Sequence, residues 1–321
     1  MLEITVAILL TVITAATPLL LAAIGELVVE RSGVLNLGVE GMMVMGAVAG
    51  FGAANLTGSG TLGILCAMLA GVVMALLFGF LVLTLVANQV ATGLALTLLG
   101  LGLSGLLGES FVGQPGVRLP KLEIPGLSDL PVVGQLLFAQ DILVYISFAL
   151  TAAVAWFLFK SRAGLVLRAV GDNHGSAHAL GYPVIAVRYA AVAFGGACAG
   201  LAGAYLSLAY TPQWVENMTA GRGWIALALV VFASWLPFRV MIGAYLFGAV
   251  TVLTFHVQAL RGNLPPWLPE WVGGLTQTPS QFLSMLPYIA TIVVLVLISM
   301  NRRTTLLNTP ACLGRPFVPD R

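Results

Sequence analysis

The stretch GMMVMGAVAGFGAANLTGSGTLGILCAMLAGVVMALLFGFLVLTLVANQVATGLALTLLGLGLSGLLG, residues 41–108, contains no Asp, Glu, Lys or Arg. One helix needs roughly 20 apolar residues to cross about 30 Å of hydrocarbon, so this stretch is long enough to cross several times. Turn chemistry divides it. Asn55, Leu56, Thr57, Gly58, Ser59 and Gly60 form one break, and Ala87, Asn88 and Gln89 form another. The expected helices therefore begin near Gly41, near Thr61 and near Val90.

Working outward, uncharged runs recur at 4–25, 142–159, 189–215, 223–238, 240–260 and 271–301. The whole chain is 59% hydrophobic and 8% charged over 321 residues, against about 25% charged in a soluble domain. Too few ionisable groups remain to coat a water-facing surface. The expectation is an all-α integral membrane protein, a polytopic bundle of about nine segments (eight to ten). Residues 1–301 would form the membrane domain and 302–321 a tail. Residues 109–141 contain Pro115, Pro120, Pro125 and Pro131, which exclude one continuous helix and leave an external loop.

Charge placement sets the orientation, because Lys and Arg beside spans stay on the cytoplasmic side. The segment 160–188 holds Lys160, Arg162, Arg168 and Arg188 against Asp172. The tail holds Arg302, Arg303, Arg315 and Arg321 against Asp320. Both are expected inside, in the cytoplasm, with the acidic 109–141 loop outside. The N-terminal run begins with Glu3 instead of a basic region, so it reads as a retained first helix. Net charge is +2, too small to suggest nucleic acid.

Residues 25–41 look unlike a loop. Apolar residues alternate with Glu26, Glu30 and Glu40, and Gly33, Gly38 and Gly41 permit breaks, so a broken or partly inserted helix is expected. A second Gly-led entry, Thr219 to Trp224, starts another short apolar helix. Two such helices in corresponding halves fit an inverted-repeat transporter. Gly46 with Gly50, and Gly196 with Gly200, have the spacing that lets helix backbones approach closely in lipid.

Several chemistries are poorly served. The two lysines, Lys121 and Lys160, follow Pro and Phe, so neither makes the Gly-Lys pair of a phosphate-binding loop. Energy would have to come from a partner chain. His174 and His178 are one helical turn apart but lack a third ligand, and a solvated helix is the reading that fits. His256 stands alone in an apolar run. Cys66, Cys198 and Cys312 imply no disulfide framework. Trp214, Trp224, Trp267 and Trp271 read as interfacial residues. Asn36, Glu40, Asn88 and Gln89 stand at polar breaks and could converge on a pathway. Alternatively, Glu40 pairs with Arg31 or caps a helix N-terminus, where its charge is favoured.

Within 160–188, Asp172 or Asn173 can cap a short helix over 174–180, Gly181 can end it, and Pro183 prevents its resumption. A small exposed face of Ala177, Ala179 and Leu180 would suit a groove on another protein. The alternative is a plain connector.

The run Gly164 to Asn173, with Ala177, Ala179, Leu180 and Gly181, then Ala193 to Gly196 and Leu201 to Gly203, resembles the cytoplasmic coupling region of permease subunits of ABC importers of the branched-chain amino acid and ribose type. GELVVERSGVLNLGVEGMMVMGA (25–47), ANQVATGLALTLLGLGLSG (87–105) and TAGRGWIALALVVF (219–232) are similar to its nucleoside and simple-sugar branch. The resemblance implies a translocation pathway for nucleosides, with ribose-type sugars as the alternative. It implies a bacterial inner-membrane location and no catalysis by this chain. It also implies an ATPase partner carrying ATP and Mg, a second homologous permease (a heterodimer), and a substrate-binding lipoprotein. Arg168, Gly171, Asp172, Asn173, Ala177, Leu180 and Gly181 would face the ATPase. No cofactor is expected on this chain. Ala233, Ser234 and Trp235 depart from the family pattern, which more often has Gly here.

Overall fold

The computed structural model describes residues 2–123, 128, 132–259 and 308–319, with scattered positions between 282 and 296. Its long helices are α1 (Leu2–Arg31), α2 (Val39–Thr57), α3 (Gly60–Gly79), α4 (Gln89–Gly108), α6 (Ile142–Lys160), α9 (Val184–Ala204) and α11 (Pro237–Ala259). Shorter helices are α5 (Val133–Leu137), α7 (Arg162–Asp172), α8 (His174–Ala179) and α10 (Arg222–Phe232). Seven helices among the described residues are long and apolar enough to span a bilayer, and α10 is apolar but short. The expected segment at 284–300 lies outside the described residues, apart from scattered positions.

The polar breaks fall where the sequence places them. Gly58, at φ 69°, closes α2, and Ser59 accepts the Leu62 N–H to start α3. Asn88 caps α4 through the Ala91 N–H, 3.0 Å from its Oδ1. The 109–141 segment is indeed no single helix. Strands β1 (Lys121–Glu123) and β2 (Ala139–Asp141) pair antiparallel as a small ribbon, and Asp141 caps α6.

The broken helix expected within 25–41 is found, with the irregular backbone confined to residues 32–38 around Gly33 and Gly38, while α1 runs unbroken through Gly25 to Arg31. Close packing explains the continuity: a Cβ on Gly25 would meet Cys198 Cβ at 2.4 Å, and one on Gly195 would meet Val29. From Ala15 to Arg31 every residue of α1 is buried. It is the central post of the bundle.

Helices α2, α3 and α9 meet along a glycine seam. Added Cβ atoms at Gly46, Gly71 and Gly200 would lie 2.5 Å from Gly200 Cα, 2.0 Å from Gly196 O and 2.1 Å from Ala67 O respectively. Such approach brings backbone dispersion contacts into play where lipid offers no hydrophobic drive for association. The far faces of α3 and α4 leave Leu62, Leu65, Leu69, Leu98 and Leu106 exposed, as a lipid-facing surface requires.

The ends of the bundle differ in charge. The C-terminal ends of α1 and α6, α7, α8, the start of α9, the α10–α11 turn and residues 308–319 gather at one end. Arg31 donates to Trp235 O and Asn308 O, and Arg188 donates to Ser32 O and Arg315 O. Asp172 shares this basic end with Arg31, Lys160, Arg162, Arg168, Arg188, Arg239 and Arg315. The opposite end carries the ribbon, with Glu109, Asp141 and Glu216 against Arg118.

Candidate functional site

Helix α10 is the element that distinguishes the interior. Its eleven residues rise about 16 Å, half the hydrocarbon thickness. Its C-terminal end leads to Trp235, which lies at the basic end, so its N-terminus lies near the middle of the bundle. That N-terminus is entered through residues in the left-handed region: Asn217 at φ 55°, Ala220 at 47° and Gly221 at 83°.

Glu40, in the first turn of α2, meets this buried helix end. Its Oε1 accepts from Thr219 Oγ1 at 2.6 Å and from Gly221 N at 2.8 Å, and its Oε2 accepts from Gly223 N at 2.6 Å. Glu40 is buried. The carboxylate satisfies backbone donors that have no partner inside the helix and sets a negative charge against the positive end of the dipole. Gly223 is small because of it: a Cβ there would meet Glu40 Cα at 2.6 Å. Of the two structural alternatives, helix capping is the one adopted, while the Arg31 guanidinium is spent on Trp235 and Asn308 carbonyls.

The other pathway candidates divide. Asn36 and Gln89 come to the same irregular segment. Asn36 donates to Glu26 and accepts the Gly38 N–H, and Gln89 Oε1 accepts the Leu35 N–H at 2.8 Å. Among the described residues, Gln89 Nε2 is buried without a partner. Asn88 turns away as the exposed cap of its own helix. The four groups therefore do not converge: Glu40 and Asn88 point to different helix ends.

Just below, Glu30 accepts the Trp235 indole N–H at 2.6 Å. Trp235 and Ser234 sit at φ 55° and 49°, a conformation that Gly adopts freely. The indole bond, together with Arg31 on the Trp235 carbonyl, holds a non-Gly residue there. This accounts for the departure at 233–235.

At the basic end, Asn173 supplies the cap, its Oδ1 accepting from Ser176 N at 3.0 Å, and Gly181 at φ 87° ends the turn after α8. Leu180 is 77% exposed, with Asp172 and Asn173 also outward. Ala177 corrects the expected face. It is buried against Val170 and Val184 with Phe317, because that side of α8 covers α7 and α9. Gly171 is likewise a packing residue, since a Cβ there would lie 2.1 Å from Arg31 O. Arg168 lies over the Phe159 ring at 5.2 Å.

Sequence reading missed the part played by the tail. Cys312 N donates to Gly171 O and Gly314 N to Gly33 O, while the Phe317 ring takes edge contacts from His174 and His178 at 5.1 and 5.3 Å. Residues 308–319 thus tie α7 and α8 to the 32–38 segment. The two histidines are occupied with this ring, and among the described residues no group of three His, Cys, Asp or Glu could hold a metal. Trp214, expected at an interface, is buried against Val44, Val48 and Phe51. Trp267 and Trp271 lie outside the described residues.

At the ribbon end a cavity of about 650 Å³ is lined by Thr11, Thr14, Arg118, Gln140, Asp141 and Tyr210, among others. No motif links these residues, which come from α1, the 109–141 segment and the turns 205–210 that follow α9. Hydroxyls, an amide and an exposed guanidinium are suited to bonding a neutral hydroxylated molecule. Burial raises the Asp141 carboxyl above the ordinary range, and its bonds from Val144 and Leu143 N–H oppose that rise.

Comparison with known proteins agrees with this architecture. The family described as branched-chain amino acid transport system / permease component matches residues 8–295. A protein of Haloferax volcanii provisionally named a glucose ABC transporter permease protein is 41% identical over 315 residues, 95% of each chain. A nucleoside ABC transporter permease protein of Lactococcus lactis is 34% identical over 88% of this chain and 89% of its own. A guanosine ABC transporter permease protein of Bacillus subtilis is 31% identical over 87% and 88%. With spanning helices arranged as above and these matches covering nearly its whole length, the chain belongs to the branched-chain amino acid transport system / permease component family.

Proposed function

We propose that this chain is the membrane-spanning subunit of an ATP-driven importer for a neutral, hydroxyl-bearing solute. The observation that carries the reading is Glu40 seated on the N-terminus of α10. A half-helix ending at mid-membrane normally offers its positive end to an anionic cargo. Here a carboxylate of the protein already occupies that position, so an anionic substrate would find repulsion in place of a cradle. Neutral sugars and nucleosides fit. The relatives are named for both, and the greater identity and coverage of the glucose-named one favour a sugar of that size. Nucleosides, expected from residues 25–47, remain the second reading, supported by two relatives.

The basic end is assigned to the cytoplasm, which places the C-terminal tail inside and the 650 Å³ cavity outside. Leu180, with Asp172, Asn173 and Gly181 around it, offers the knob that seats in the ATPase. Arg168, Gly171 and Ala177 support it from beneath. ATP and Mg belong to that partner. A second permease subunit, forming a heterodimer, and a substrate-binding lipoprotein at the outer cavity complete the assembly.

Uptake into vesicles containing the full complex tests the cargo. Labelled glucose should accumulate with ATP and be competed by unlabelled sugars but not by sugar phosphates. Competition by nucleosides alone would select the second reading, and preferential uptake of an anion would overturn the neutral-cargo proposal.

A further inference from the structure

At the basic end, the last turns of α6 and the start of α11 enclose a groove of about 570 Å³ that the proposed cargo route does not use. Ala152 and Ala155 make its floor shallow enough for a hydrocarbon chain, and Trp156, Phe159 and Phe238 wall it. Trp156 is 64% exposed and Phe238 56%. Side chains of that size facing outward are at home in acyl chains and interfacial headgroups, not in water. Lys160 and Arg239 also line the groove, both exposed. Among the described residues no carboxylate lines it.

Two like charges held at one mouth repel each other unless an anion lies between them. Arg31 and Arg168 add to the local positive field, since both guanidiniums lie within 6 Å of the Phe159 ring, at 5.9 and 5.2 Å. On the other side of Trp156 lies a second, smaller trough of about 380 Å³, apolar throughout and lined by Leu150, Ala153, Phe157, Ala190 and Phe194, among others. A ligand that fits both troughs has two hydrocarbon tails, and one that satisfies the mouth has a negative head.

We propose that this paired groove is a binding site for an anionic two-chain phospholipid. One tail lies between α6 and α11, the other lies across Trp156, and the phosphate is held by Lys160 and Arg239. A zwitterionic lipid would fill the troughs equally well but bring its own cation to a mouth that already has two. Basic pockets between membrane helices select headgroups in this way. The site depends on the chain lying in a bilayer and is independent of which solute it carries.

Tail-brominated phosphatidylglycerol and phosphatidylcholine provide the test, each incorporated at equal fractions into phosphatidylcholine vesicles holding the full chain. The Trp156 signal is the difference between wild type and Trp156→Phe. Quenching should report an association about fivefold or more stronger for the anionic lipid. The double variant Lys160→Gln/Arg239→Gln should bring the two lipids to parity while leaving the melting temperature unchanged, because both side chains are exposed. Equal quenching in wild type overturns the proposal, as does a preference that persists in the double variant. Absence of quenching by either lipid would also overturn it, showing the groove to be filled by protein.

Discussion

Helices α10 and α8 are both short and both have their N-termini held by side-chain oxygens, but they lie in different solvents. Helix α10 is capped by Glu40 from a distant helix, inside the bundle, through three short bonds. Helix α8 is capped by its own neighbour Asn173, at the surface, through one bond of 3.0 Å. Water can replace the second cap but not the first. The chain accordingly invests a charged residue in the middle of the protein and an amide at the edge. The interior is fixed by contacts that tolerate no change, whereas the basic end leaves Leu180 open to water, as the docking proposed above requires.

The most forceful way to break this comparison is to enlarge the glycine seam. Gly200→Leu forces a side chain where even a Cβ would lie 2.1 Å from Ala67 O. We expect a loss of several kcal/mol, about 3 or more, and little folded protein recovered in detergent. Gly175→Ala at the basic end meets only Asn173 Oδ1, at 3.5 Å, and should leave the melting temperature unchanged. Equal melting temperatures for the two variants would show that the helices do not pack on backbone contacts.

The caps themselves come next. Glu40→Ala strands the Gly221 and Gly223 N–H groups and the Thr219 hydroxyl away from water, at about 1–3 kcal/mol for each buried group that finds no other partner. Glu40→Gln keeps one acceptor but turns an NH₂ toward an N–H, so it should lose stability as well, by about 1–3 kcal/mol, with cargo preference unchanged. Asn173→Ala removes a water-replaceable cap and should cost about 1 kcal/mol or less. Thermal unfolding of the three variants ranks them. Normal stability with slowed uptake in Glu40→Gln would move Glu40 from support to pathway.

The bundle and both short helices were legible because their signals are local: uncharged length, Gly and Asn at breaks, Pro183 after Gly181. Glu40 was legible only as an alternative, because its partners lie 179 and more positions away and nothing in the 25–47 run says which helix it faces. Ala177 and Leu180 share one small helix, and composition cannot tell which of two apolar residues looks inward. Only the approach of α7, α9 and Phe317 decides it. The strap formed by residues 308–319 was hidden for a related reason. It contributes mostly backbone atoms to its bonds with the bundle, so its side chains advertise little.

The distinction between Ala177 and Leu180 sharpens the comparison at the basic end. Leu180→Asp alters a residue that is 77% exposed, so the melting temperature should hold while ATP-driven uptake falls by about tenfold or more. Ala177→Asp places a charge in the small cluster with Val170 and Val184 and should destabilise the protein before any effect on coupling can be read. Wild-type uptake in Leu180→Asp would remove the docking role from α8.

The smallest expected effect lies in the strap, where pH should loosen one end of the molecule and not the other. His174 is held below the ordinary imidazole value, first by burial and then by the guanidiniums of Arg188 and Arg315. The folded strap therefore favours the neutral ring. Above the ordinary value, near 6.5, His174 is neutral whether the strap is bound or released, and the attachment is at full strength. As pH falls through that value, the released state takes up the proton first and the strap loosens. His174→Phe keeps an aromatic edge against Phe317 but has no proton to take up. Cys312, buried and bonded through its N–H to Gly171 O, reports the release through its rate of thiol modification. Taking the ratio of wild type to His174→Phe at each pH cancels the intrinsic reactivity of the thiol and the contribution of His178, which touches the same ring in both proteins. The ratio should rise severalfold between about pH 7.5 and 5.5. A flat ratio would mean that the charge on His174 has no bearing on the strap.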